Sequence, residues 1–132
     1  MEAFAFPDIE AELVAWLASK LAGLGSEAVV ATKVPNPRPV EGVRVARVGG
    51  IQVNVITDEP RIVLECYAAT APDAAALARM VRAVLATAAG GVLSTAWCDR
   101  VRDLGMAFLP DLEADLPRYL VTAEVRVRGT PL

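Results

Sequence analysis

Residues 34–68 read VPNPRPVEGVRVARVGGIQVNVITDEPRIVLECYA, and this stretch decides the fold. Pro35, Pro37 and Pro39 each fix φ and remove a backbone donor, so residues 34–39 are expected to be extended, projecting and outside any sheet. After Gly42, Val43 and Val45 alternate with Arg44, which predicts a strand over 43–48 with one buried and one wet face. Gly49 and Gly50 are expected to break it. Ile51, Val53 and Val55 then alternate with Gln52 and Asn54, giving a second strand or a hairpin arm that needs something to lean on. Asp58-Glu59-Pro60 closes the excursion, and residues 61–68 make a strong strand. This much rigid surface chain suits contact with a neighbour better than catalysis. The arms 34–42 and 50–60 are therefore the expected interface, with Pro35, Pro37, Arg38, Arg47, Ile51, Val53, Asn54, Val55 and Asp58 as its candidate residues.

Outward from this stretch lie two helices. Asp8 is placed to cap the first, in which Ile9, Leu13, Trp16, Leu17 and Leu21 recur at helical spacing. Glu10, Glu12, Ser19 and Lys20 take the opposite side, and Gly23 and Gly25 end the helix. Burying Leu13, Trp16, Leu17 and Leu21 contributes about 1.5–3 kcal/mol each before entropy. Residues 28–34 read as a short strand. Thr70-Ala71-Pro72-Asp73 opens a second helix in capping-box style, with Leu77, Val81, Val84, Leu85 and Ala88 on one face and Gly90-Gly91 as its stop. Strands follow at about 99–109 and 118–128. In the last one Tyr119, Val121, Ala123, Val125 and Val127 alternate with mostly polar residues, the pattern of an antiparallel strand packed on one side. The expectation is a single α+β domain over 1–132, with two helices on one face of a mainly antiparallel sheet of about five strands and projecting loop or hairpin arms.

Composition narrows the chemistry. The 132 residues carry a net charge of −3 and no histidine. That removes Ser-His-Asp and Cys-His catalysis, histidine-bearing zinc sites and the usual proton shuttle. Residues 1–32 hold five acids against Lys20 alone, whereas residues 33–61 are mildly basic, too sparsely for a nucleic-acid footprint. No apolar run approaches the roughly 18 residues of a membrane span, and no basic-then-apolar leader opens the chain. A soluble protein made and used without export is expected, with no membrane contact. Cys66 and Cys98 lack a C-x-x-C spacing, and Cys66 reads as a small buried hydrophobe.

The remaining candidates read as structure. Gly49-Gly50 lacks a phosphate-loop context. Asp111, Glu113 and Asp115 alternate like calcium ligands, but the glycine and distal glutamate of an EF-hand are missing. Asp99 and Asp103 flank arginines on a strand edge. Glu65 is the one carboxylate expected to be partly buried, paired with an arginine of an adjacent strand or facing a subunit interface. Trp16 belongs to the core, and Trp97 is a candidate interface anchor. No catalytic, cofactor or metal residue emerges, and the expectation is a protein without enzymatic activity.

The succession VPNPRP, VRVARVGG, TDEPRIVLECYA, ALARMVRAVL, LPD and RYLVTAEVRVRGT resembles the tail terminator proteins of long-tailed bacteriophages, particularly those of high-GC hosts, over residues 8–130. The resemblance implies a virion protein of the tail neck, assembled in the host cytoplasm as a homohexameric ring. Such a ring caps the tail tube protein, stops its polymerisation and meets the head–tail connector or completion protein. Genomic double-stranded DNA passes through its lumen without sequence-specific binding, and no cofactor is implied. Another neck component, or a small α+β ligand-binding protein or enzyme, is the alternative.

Overall fold

A computed structural model describes residues 2–132. In chain order it contains β1 (Phe4–Ala5), α1 (Ile9–Gly23), β2 (Val29–Ala31), β3 (Gly42–Asn54), β4 (Thr57–Tyr67), α2 (Ala71–Leu85), β5 (Gly91–Val92), β6 (Trp97–Phe108), β7 (Arg118–Arg128) and β8 (Thr130–Pro131). The main sheet has six strands in the order β2-β3-β4-β7-β6-β5, and β1 pairs with β8 as a separate ribbon that ties the two chain ends together. The α+β class stands as expected. The strand count does not, because Gly91–Val92 pairs with Trp97–Cys98 instead of serving only as a stop. The sheet is mixed, since β2 runs parallel to β3.

Local chemistry sets the helix ends. Asp8 accepts the Ala11 N–H at 3.2 Å, and Thr70 Oγ1 accepts the Asp73 N–H at 3.3 Å. At the other end of α1, the Ser26 N–H reaches Leu21 O and the Gly25 N–H reaches Ala22 O, each at 3.0 Å. This is a Schellman closure, and it needs the left-handed φ of +81° that Gly25 supplies.

Both helices lie on one side of the sheet. Ile9, Leu13, Trp16, Leu17 and Leu21 of α1, with Leu77, Ala78, Val81 and Leu85 of α2, pack on Val43, Val45, Ile62, Leu64, Cys66, Val121, Ala123, Val125 and Val127. Every second residue of β4 and β7 thus enters the core. Glu12 departs from the expected polar side of α1 and is 7% exposed. Cys66 and Cys98 are both buried and unpaired. Burial pushes their thiols up to about 12 and about 11 respectively, which makes them inert. Among the described residues no helix is long and apolar enough to cross a membrane.

Two expectations about residues 34–60 change. The proline segment is not uniformly extended: the chain bends at 32–33, 36–37 and 40–41. The parallel pairing explains this, since the chain must return from Ala31 to Gly42 to start β3 alongside β2. An extended connection of that length would overshoot by roughly 30 Å. Gly49 and Gly50 do not break β3 either. They carry a bulge that leaves Val48 out of register, and pairing resumes at Gly49↔Arg61 and Gly50↔Pro60. Gly50 has φ +98°, and a Cβ there would sit 2.2 Å from Glu59 O, so only glycine fits.

Leu64 is fully buried on the central strand. Leu64→Ala is expected to lower unfolding free energy by about 2–5 kcal/mol in a urea titration, with an unchanged slope.

Candidate assembly surface

The sequence places its candidate residues in two regions, and the structure treats them differently. Pro35, Pro37 and Arg38 lie in the 32–41 loop, where Pro37 and Arg38 are exposed and Pro35 is half-buried. Arg38 lies near enough to Tyr67 to oppose the upward pKa shift that burial gives that hydroxyl. Pro35 and Pro39 are half-buried, so the loop lies partly against its own subunit. The second excursion is not a free-standing arm, because β4 is flanked by β3 on one side and by β7 on the other down to Thr57. What the structure offers is an edge: residues 47–56 are all exposed, Ile51 at 67%.

Within that edge the candidates divide. Ile51, Val53 and Val55 present apolar surface beside Val48 and Ile56. Asn54 shapes the turn, its Oδ1 accepting the Ile56 N–H at 3.0 Å. Arg47 is occupied inside the chain. Its Nη1 donates to Asp58 Oδ2 at 2.9 Å, its Nε to Gly49 O at 3.0 Å, and its backbone N–H to Glu10 Oε2 at 2.9 Å. Asp58 is 4% exposed and holds this guanidinium beside the bulge, so within the subunit it is a structural residue. Arg47 and Asp58 thus set the course of the edge that Ile51, Val53 and Val55 display.

β2 covers β3 only as far as Arg44, so from Val45 onward the outer edge of β3 has no strand partner among the described residues. On the far side, β5 covers β6 only at Trp97 and Cys98, which leaves the outer edge from Asp99 to Phe108 open as well. Apart from the Arg47 N–H, which Glu10 takes, these strand edges lack a partner strand, and such edges are templates for another strand. Trp97 is 38% exposed beside the second edge. Its Nε1 donates to Asp99 Oδ1 at 2.9 Å, and the Arg128 guanidinium lies 5.7 Å from the ring centroid. Trp97 also borders a cleft of about 400 Å³ with Phe6, Glu12, Thr95 and Arg128.

Sequence reasoning missed the buried carboxylates. Glu65 was expected to be the one partly buried acid, yet Glu12, Asp58, Glu59 and Glu124 are all more enclosed. The expected pairing of Glu65 with neighbouring-strand arginines does hold, with Arg44 on β3 and with Arg118 on β7 at 2.8 Å. Glu124 is bracketed in the same way by Arg61 at 3.2 Å and by Arg102, and Glu59 by Arg126 at 2.7 Å and Arg100 at 3.3 Å. The Arg102 hydrogen bond, above all, holds the Glu124 carboxyl below the usual range. Alternation on 118–128 could have flagged Glu124, since it sits among arginines on the face away from the core. Asp99 pairs with Arg128 at 2.7 Å and Asp103 with Arg82, so the two carboxylates engage different arginines. Asp111 faces Leu116 across a small turn, and among the described residues no three or more Asp, Glu or Cys side chains are gathered as a metal site would need.

Glu12 clamps the 93–96 loop. It accepts the Ser94 N–H at 2.9 Å, the Thr95 N–H at 2.8 Å and the Thr95 hydroxyl. Burial pushes its pKa up, but these hydrogen bonds outweigh that and hold it below its ordinary 4.5. A depressed folded-state pKa contributes stability above the unfolded value and loses it as pH falls through the folded value. Glu12→Gln is therefore expected to cost about 1 kcal/mol at neutral pH. In urea titrations the gap from wild type should narrow toward zero on acidification below the ordinary carboxylate value.

No family profile matches the chain, and no match is found among curated proteins. A solved structure does share its fold. One chain of the virion of a native gene transfer agent particle superposes with a TM-score of 0.65 at 23% identity, over 92% of this chain and 95% of that one.

Proposed function

We propose that this protein is a structural component of a phage-like virion, a tail terminator. Identical copies close a head-to-tail hexameric ring that caps the tail tube, halts its growth and joins it to the head connector. The genome passes through the centre, and no turnover is involved. The observation that carries this reading is the pair of uncovered sheet edges, one along Val45–Asn54 and one along Asp99–Phe108, on opposite sides of the same sheet. Two different edges in contact make a heterologous interface, and repetition of such an interface about an axis closes a ring. Support also comes from the near full-length fold likeness to a gene transfer agent virion chain.

Ile51, Val53 and Val55 are the anchors of the first edge in this reading, with Trp97 beside the second. Exposed apolar residues on an open edge are an aggregation liability unless another chain covers them. The proline loop, with Pro35, Pro37 and Arg38, then supplies contacts to the tube or to the neighbouring subunit.

The test is negative-stain microscopy of the purified protein, alone and mixed with tail-tube protein. Rings or capped tubes are expected for wild type. Ile51→Glu with Val53→Glu should abolish them while circular dichroism and thermal midpoint stay near wild type, because exposed substitutions shift stability by about 0.5 kcal/mol or less. Featureless wild-type monomers in both preparations would refute the proposal.

A further inference from the structure

The face of the sheet opposite the helices carries a lattice of arginines over buried carboxylates. Arg44 and Arg118 bracket Glu65, Arg61 and Arg102 bracket Glu124, and Arg100 and Arg126 bracket Glu59. All belong to the strand positions that alternate with the core residues of β3, β4, β6 and β7. Six guanidinium groups against three carboxylates give this lattice a formal +3, with Asp111 at its margin 3.9 Å from Arg118, in a chain whose total is −3. The carboxylates lie beneath, at 8–15% side-chain exposure, and the arginines above, at 21–57%. Each guanidinium has five N–H donors, so one shared carboxylate leaves donors free to point outward.

We infer that this arginine-topped face is a weak, sequence-independent contact surface for the phosphate backbone of double-stranded DNA. The face lacks what a dry protein interface needs. Toward its centre only two larger apolar side chains, Val63 and Leu120, are half-buried; the large exposed ones lie on the 47–56 edge, on loops, at strand ends and at the Leu104 bulge of β6. Protein interfaces are anchored by buried aromatic or aliphatic residues, whereas polyanion contacts rest on distributed positive charge. The glutamates underneath halve the charge, which keeps the contact short-lived. The choice of DNA as the polyanion rests on the ring reading above; the surface itself does not.

The experiment titrates a labelled duplex, in two unrelated sequences, with the protein as purified. Equal binding of both is expected, with about a 40-fold loss of affinity between about 50 and 200 mM salt, as three neutralised phosphates would give. Arg100→Gln with Arg102→Gln leaves every carboxylate at least one arginine and should reduce that salt effect to about 4-fold. Arg79→Gln, on the exposed side of α2, is the control and should change nothing. Glu124→Gln, checked for folding by circular dichroism, should tighten binding. No binding at low salt, an unaltered salt effect in the double variant, or equal weakening by Arg79→Gln would overturn the inference. So would preferential capture of polyglutamate, which would assign the face to an acidic protein. Microscopy separates the two readings: intact rings or capped tubes that ignore DNA defeat this one alone, and featureless protein both alone and with tail-tube protein defeats the assembly proposal.

Discussion

Two helices can cover only one face of a six-stranded sheet, and this constraint governs the molecule. β4 feels it most, lying between β3 and β7 with Ile62, Leu64 and Cys66 in the apolar layer. Its alternate positions, Glu59, Arg61 and Glu65, have no helical layer above them. Unpaired carboxylates at such depth would be costly, and each is therefore held between two arginines from other strands of the sheet. The uncovered face is thus built from charge rather than from a second apolar layer, and cross-strand ion pairs reinforce the register that the core imposes.

The same shortage of cover appears at the sides. β2 and β5 are too short to shield the strands they flank, so β3 and β6 continue past them as open edges. Bulges at Val48, Asp99 and Leu104 twist these edges, and the Arg47–Asp58 and Arg82–Asp103 pairs hold their side chains in place. A strand exposed on both faces over eight residues, 47–54, buries little within its own subunit. Its conservation of strand geometry comes from β4, and its apolar residues have surface to offer a second chain.

Much of the architecture could be read from residue order. The α1 stripe, the Asp8 and Thr70 caps, the Gly25 stop and the bounds of β7 all follow from short-range rules, because hydrogen bonds within a few residues and burial period decide them. The Gly49-Gly50 reading failed for an instructive reason. Glycine disfavours a strand locally, yet pairing with Glu59–Arg61 continues the ladder around a bulge, and long-range hydrogen bonds prevail over propensity. Glu12 failed similarly, since its partners at Ser94 and Thr95 lie 82 and 83 residues away.

By itself, then, the chain's order of residues determined an α+β class, the two amphipathic helices, the absence of histidine chemistry and the candidate edge around Ile51, Val53 and Val55. Those properties depend on composition and on periods of two or 3.6 residues, which are local. Only the tertiary structure decided which carboxylates are enclosed, that arginines from four strands meet over them, and that both sheet edges remain open. Such features depend on strand order and register between distant segments, and no short-range pattern encodes those.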